Sequence, residues 1–208
     1  MLIKICGMKF PKNIREVGVL QPDFMGFIFY PKSKRFVGEN FSVKSIENLP
    51  KSVKKVAVFV NENPIKIIKI VNQYKFDYVQ LHGNESVETC AVIKQKGIQI
   101  IKVFSVDNYF NFEETIPFNS VCDYFLFDTK TDAFGGSGRT FDWNILEKYS
   151  LSKPFFLSGG LSITSFSKIK KSTYPMLTGL DFNSKLEDKN YKKIIEEVHE
   201  LIDKIRTQ

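Results

Sequence analysis

Leu2-Ile3-Lys4-Ile5-Cys6-Gly7 opens the chain as a short apolar, β-branched run halted by a glycine. Such a run reads as a strand with Cys6 at its carboxyl tip. Side chains alternate along a strand, so Lys4 and Cys6 share one face and Ile3 and Ile5 the other. Seven further runs of the same kind follow, near 24–30, 55–60, 77–82, 98–104, 123–128, 154–158 and 176–181. Most gaps between them carry helical patterns. Eight strands alternating with helices in 208 residues predict an α/β fold, a (β/α)8 TIM barrel of near-minimal size, with one domain over 1–208. A doubly wound open sheet competes, but it normally has fewer strands at this length, and no GxGxxG follows the first strand.

The helical patterns are specific. Residues 64–74 place Ile65, Ile68 and Val71 on one side, after Asn61 or Asn63 and Pro64 as a start signal. Residues 86–96 carry Val87, Ala91 and Ile93 and stop before Gly97. Residues 190–206 show the clearest stripe: Ile194, Ile195, Val198, Leu201, Ile202 and Ile205. Residues 107–121 are the poorest stretch, broken by Pro117 and several Asn and Phe residues.

Composition narrows the function classes. Hydrophobic residues make up 43%, which argues against disorder. Lys+Arg 30 against Asp+Glu 23 gives a net charge of +7, favouring anionic partners. The basic runs at 51–55 and 168–171 are short solvated faces rather than a nucleic-acid arm. No nucleic-acid partner is therefore expected. Three widely spaced cysteines, Cys6, Cys90 and Cys122, give neither a disulfide framework nor a zinc pattern. They fit a reducing, cytoplasmic compartment. No apolar run reaches the roughly 20 residues of a membrane span, and no leader pattern opens the chain, so no membrane association is expected.

In parallel α/β proteins the chemistry collects at the carboxyl ends of the strands. Gln80 and His82 share one strand face, as do Gly179 and Asp181. Phe125 and Phe127 should pack outward under helices, leaving Tyr124, Leu126 and Asp128 to face the axis. Cys6, His82, Asp128 and Asp181 would then ring one mouth. Each also has a purely structural reading: Asp128 as a cap, His82 as a turn residue before Gly83-Asn84, Asp181 as a loop anchor. All four being structural at the same mouth is the weaker account. Ser158-Gly159-Gly160 follows the seventh strand and Asp181-Phe182-Asn183-Ser184 the eighth, where such barrels often hold phosphate on backbone N–H groups. Gly135-Gly136-Ser137-Gly138 reads as a lid or a plain turn. In the loop Pro31-Lys32-Ser33-Lys34-Arg35-Phe36, Arg35 is the candidate for a carboxylate, which its fork can grip bidentately.

These blocks, in order, resemble the phosphoribosylanthranilate isomerase family of tryptophan biosynthesis. The resemblance is carried by Lys4-Ile5-Cys6-Gly7-Met8, by Gly26-Phe27-Ile28-Phe29-Tyr30-Pro31-Lys32-Ser33-Lys34-Arg35, and by Val79-Gln80-Leu81-His82-Gly83-Asn84-Glu85-Ser86. It continues through Phe127-Asp128-Thr129, Gly135-Gly136-Ser137-Gly138 with Phe141-Asp142-Trp143, Ser158-Gly159-Gly160-Leu161 and Asp181-Phe182-Asn183-Ser184. The matches span nearly the whole chain.

The resemblance implies an Amadori rearrangement of N-(5-phosphoribosyl)anthranilate to 1-(2-carboxyphenylamino)-1-deoxyribulose 5-phosphate. It makes Asp128 the acid that opens the ribose ring and Cys6 the base that takes the C2′ proton. Arg35 would hold the anthranilate carboxylate, while Gly159, Gly160, Asn183 and Ser184 would hold the phosphate. Lys4, Gln80, His82 and Asp181 complete the expected substrate-binding set. No metal and no organic cofactor is expected, since these are proton transfers. The partner is the small anionic substrate, and the state a monomer or homodimer. Lys4 and the basic mouth should lower the Cys6 pKa, and a desolvated setting should raise that of Asp128. Two departures from the family pattern are Lys185, where Gly is usual, and Ser158, where Ala is usual. The nearest rival is the sugar-phosphate isomerase of histidine biosynthesis, which has Asp in the base position and a larger bisphosphate substrate. A non-catalytic anion-binding barrel is the other class.

Overall fold

A computed structural model describes residues 1–130, 142–166, 169 and 173–207. The expected segment Gly135-Gly136-Ser137-Gly138 and most of the basic run at 168–171 lie outside these residues. Eight parallel strands close into a barrel in chain order. They are β1 (Leu2–Ile5), β2 (Phe24–Ile28), β3 (Lys54–Phe59), β4 (Tyr78–Leu81), β5 (Gln99–Val106), β6 (Tyr124–Thr129), β7 (Phe155–Leu157) and β8 (Leu177–Phe182). All eight expected strands are present, with ends within a few residues of their predicted limits. β1 pairs with β2 on one side and β8 on the other, and its register sets Lys4 beside both Phe24 and Asp181.

Alternation along the strands divides the apolar residues into two clusters. Ile3, Ile5, Met25, Phe27, Val79, Leu81, Phe125 and Phe127 belong to the larger one, under the helices. Cys6, Phe24, Val56, Val58, Ile101, Val103, Leu126 and Phe156 fill the bore. The predicted outward Phe125 and Phe127 and inward Leu126 are borne out.

An aromatic layer closes the bore toward the amino ends of the strands. Phe24 packs on Tyr78 and on Phe156, each at 5.3 Å between ring centroids. Tyr124 completes the layer, 6.1 Å from Tyr78 and 5.3 Å from Phe156. Most of these contacts are edge-to-face, the geometry that ring quadrupoles favour.

Four α-helices lie among the described residues: α1 (Pro11–Val19), α2 (Pro64–Tyr74), α3 (Val87–Lys94) and α4 (Ile195–Arg206). α2 starts where the Asn63 side chain accepts the Ile65 N–H at 2.8 Å, with Pro64 in the first turn. It ends on Lys75 in the left-handed region. Ser86 caps α3 in the same way through the Thr89 N–H.

Val43–Ser45, Phe112–Phe118 and Trp143–Lys148 are 3-10 turns, the second within the stretch where no long helix was expected. Pro117, inside the second, lacks the N–H that a longer helix would require. The last helix begins at Ile195, not near residue 190. The preceding residues form a tight hairpin instead, with Glu187 bridged antiparallel to Lys193 and Tyr191 in the left-handed region. α1 holds this hairpin: Asn13 donates to the Lys193 carbonyl and accepts the Lys193 N–H, both at 2.9 Å. Among the described residues no helix is long and apolar enough to cross a membrane.

Candidate active site

Parallel closure brings every strand's carboxyl end to one mouth, so the tips of β1, β2, β4, β6, β7 and β8 converge there. All of the expected site residues lie at this mouth or just within it.

Lys4 and Cys6 come from β1 and its continuation. The Lys4 side chain is fully buried, and its Nζ lies 2.9 Å from Asp181 Oδ1 on the neighbouring strand. Burial alone would lower the Lys4 pKa. The facing Asp181 carboxylate is the largest opposing influence and the balance is a raised pKa, so Lys4 stays an ammonium.

Cys6 is buried too, and here the expectation fails. Burial pushes its thiol pKa up, Lys4 lowers it by less, and Asp181 adds to the rise. The resting Cys6 is a neutral thiol, not the thiolate that the basic neighbourhood suggested. The thiol also needs room on the adjacent strand. A Cβ on Gly26 would stand 2.7 Å from Cys6 Sγ, closer than real side chains approach, so Gly26 gives the sulfur its place.

Gln80, His82 and Asp128 form a line across the mouth. Gln80 Nε2 is 2.9 Å from His82 Nδ1, and His82 Nε2 is 3.2 Å from Asp128 Oδ2. The other Asp128 oxygen accepts the Thr129 N–H at 2.9 Å. Gln80 is wholly buried.

Beneath His82 lies a buried ion pair that sequence reasoning missed. Lys102 Nζ reaches Glu85 Oε2 at 3.0 Å and the Gly83 carbonyl at 2.7 Å. Glu85 in turn accepts the N–H groups of Asn61 and Gly83. The pair ties the loop after β4, and with it His82, to β5. Its signal was a lone lysine inside the apolar run Ile100-Ile101-Lys102-Val103-Phe104.

Arg35 reaches the mouth from the loop after β2. Its Nε lies 2.8 Å from Glu187 Oε1, and its Nη2 also bonds that oxygen. Lys193 Nζ bonds the other Glu187 oxygen at 2.9 Å, Asn183 Oδ1 at 2.8 Å and the Asn183 carbonyl at 3.0 Å. Tyr191 lies against the guanidinium at 5.4 Å. One charged truss thus joins Arg35 to Asn183. Glu187 and Lys193 were not singled out from sequence.

Gly159 and Gly160 both take positive φ, +93° and +66°. At Gly159 a Cβ would fall 2.1 Å from Thr129 Oγ1, so only glycine lets the β7 tip lie on the β6 tip. Ser158 Oγ donates to the Asp181 carbonyl at 3.4 Å, linking the β7 and β8 loops. Ser184 and Lys185 sit in the short 3-10 turn Ser184–Leu186. Lys185 is exposed and is not among the positive-φ residues, so this turn forms without the left-handed backbone that glycine would supply.

Among the described residues no group of three or more His, Cys, Asp and Glu side chains is placed to hold a metal ion. The arrangement offers a thiol and a carboxyl for proton transfer, a guanidinium for an anion, and glycine-rich loops beside them.

Known proteins resemble the chain along nearly its whole length. Residues 3–204 match the family model described as N-(5'phosphoribosyl)anthranilate (PRA) isomerase. A relative named N-(5'-phosphoribosyl)anthranilate isomerase, from Parabacteroides distasonis, is 41% identical over 206 residues, covering 99% of this chain and 93% of its own. The crystal structure of phosphoribosyl anthranilate isomerase from Thermotoga maritima superposes with a TM-score of 0.86 at 32% identity, over the whole of both chains. Another crystal structure of a phosphoribosyl anthranilate isomerase, in complex with reduced 1-(o-carboxyphenylamino)-1-deoxyribulose 5-phosphate, gives 0.84 at 27% identity, again over both whole chains. With the barrel and nearly the full length in common, this chain belongs to the N-(5'-phosphoribosyl)anthranilate isomerase family.

Proposed function

We propose that the mouth isomerises N-(5'-phosphoribosyl)anthranilate to 1-(2-carboxyphenylamino)-1-deoxyribulose 5-phosphate, with Asp128 as general acid and Cys6 as general base. The observation that carries the reading is the placement of a thiol at the β1 tip and a carboxyl on β6, three strands apart round one closed mouth. Asp128 gives its proton to the ribose ring oxygen, the C1′–O bond breaks, and a Schiff base forms. That cation acidifies the C2′ hydrogen, which Cys6 removes to give the enolamine. Tautomerisation delivers the ketone. The raised thiol pKa makes the thiolate a minority species but a stronger base when it forms. Lys4, held as an ammonium beside Cys6, is the charge that favours that thiolate.

Arg35 takes the anthranilate carboxylate. The backbone at Gly159-Gly160 and Asn183-Ser184 takes the phosphate, while Gln80, His82 and Asp181 shape the ribose site. A net charge of +7 suits a substrate with two anionic ends. Three free cysteines fit a cytoplasmic setting.

The test is a fluorescence assay in which phosphoribosylanthranilate is generated in situ and its emission decay is followed, with Cys6→Ser alongside. Decay well above the spontaneous background, lost in the variant, is the expected result. Folded protein that gives no acceleration would overturn the reading, and the histidine-pathway substrate would be tried next.

A further inference from the structure

We infer that Gln80 and His82 are positioning residues that load and hold the proton of Asp128, and that the Gln80 amide turns over as they do so. The inference rests on the reading of Asp128 as the acid, and deepens it.

The geometry gives the resting state. An amide N–H of Gln80 faces His82 Nδ1 at 2.9 Å, so Nδ1 is an acceptor and carries no hydrogen. The imidazole proton is then on Nε2, which donates to Asp128 Oδ2 at 3.2 Å. In this state Asp128 is a carboxylate and has no proton to give. Gln80 Oε1, fully buried, has no hydrogen-bond partner among the described residues. A buried amide oxygen left unpaired is costly.

A single added proton resolves both problems. It enters as a hydrogen on Nδ1, the amide rotates about its last bond, and Oε1 accepts Nδ1–H. Nε2 then passes its own hydrogen to Asp128, whose carboxyl O–H donates back to the Nε2 lone pair. The uptake is one proton, with none lost or duplicated, and the rotation needs no extra space because an amide is nearly symmetric in shape. Asp128 now carries the proton that opens the ribose ring. Asp181 of β8, itself paired with Lys4 of β1, acts on both members of the pair, and the Lys102–Glu85 ion pair holds the loop that carries His82. Ser158, just after β7, and Ser105 of β5, the register partner of Asp128, carry no charge.

The chain has only two histidines, which makes a direct test practical. In protein labelled with 15N-histidine, with His199→Gln to remove the exposed second signal, His82 should show an unprotonated Nδ1 at high pH. Nδ1 should gain its proton on acidification. One limb of the kcat/KM pH profile should share that midpoint. In Gln80→Glu, an acceptor only, both midpoints should move up together by about one pH unit. In Gln80→Met, which offers no acceptor, both should move down. A His82 that keeps hydrogen on Nδ1 at high pH in the otherwise wild-type protein overturns the relay, as does a limb unmoved by either Gln80 variant. If folded wild-type protein fails to turn over phosphoribosylanthranilate, the isomerase reading falls separately, and the Nδ1 spectrum alone decides the relay.

Discussion

Arg35 and Glu187, 152 residues apart in sequence, meet along one edge of the guanidinium, with Nε and Nη2 both directed at the carboxylate. A guanidinium has five N–H donors in a planar fork. Glu187 takes the Nε/Nη2 edge, which leaves the Nη1/Nη2 edge for a second carboxylate. Glu187 therefore orients Arg35 rather than competing for all of it. Arg35→Ala should raise KM about 10- to 100-fold with a smaller change in kcat, the loss of a charge-assisted contact worth about 1.5–3 kcal/mol. Steady-state kinetics that return an unchanged KM would remove Arg35 from the carboxylate site.

Glu187 also predicts a pH dependence of stability. Burial would raise its pKa, but the Arg35 hydrogen bond and the Lys193 charge outweigh this and hold it below the usual 4.5. The unfolded chain therefore takes up this proton first. The stabilisation is complete above the unfolded-state pKa and is lost as pH falls through the lower folded-state value. Glu187→Gln should cost roughly 3 kcal/mol at pH 7, because Lys193 is left buried without its partner. In denaturant titrations the gap between the two proteins should narrow steadily below about pH 4.5. A gap that is constant with pH would show that the ion pair is not its source.

Removing either proposed proton-transfer group should cut turnover steeply while sparing the fold. Cys6→Ser and Asp128→Asn should each lower kcat by about 10²- to 10⁴-fold. Circular dichroism and melting should stay close to wild type, because both changes are near-isosteric. Near-normal turnover in one variant would remove that residue from the mechanism.

The neutral resting state of Cys6 is open to a chemical measurement. Alkylation by iodoacetamide, resolved by peptide mass, should be slow at pH 7 and rise with a midpoint above the ordinary thiol value of 9.0. Lys4→Met should move that midpoint further up, because the only group in β1 that favours the thiolate is gone. A midpoint below 8 in the wild type would show that Lys4 wins over burial.

The strands were legible because each is a short apolar run between polar turns, and the barrel followed from their number. The side of each residue was legible as well: Gln80 with His82, and Asp128 opposite the outward Phe125 and Phe127. Electrostatics at Cys6 was not. The sequence displays its charged neighbours but not the depth at which the sulfur sits, and depth decides the direction. The Arg35–Glu187–Lys193 truss was hidden for another reason, since its parts meet only after β8 closes on β1. The apolar stripe of the last helix runs on through Ile194, so periodicity alone could not show that Asn13 pins Lys193 in a hairpin just before it.

The layer of Phe24, Tyr78, Tyr124 and Phe156 makes the reaction chamber a blind well. Among the described residues this layer closes the amino end of the bore behind Cys6 and Asp128. In the proposed mechanism the hydrogen that Cys6 lifts from C2′ has no back door, and while substrate fills the mouth it is shielded from exchange. Return of the substrate's own hydrogen is thereby set in direct competition with solvent. Product formed in deuterated water will record, in its isotopic content at C1′, how long the well stays stoppered during each turnover.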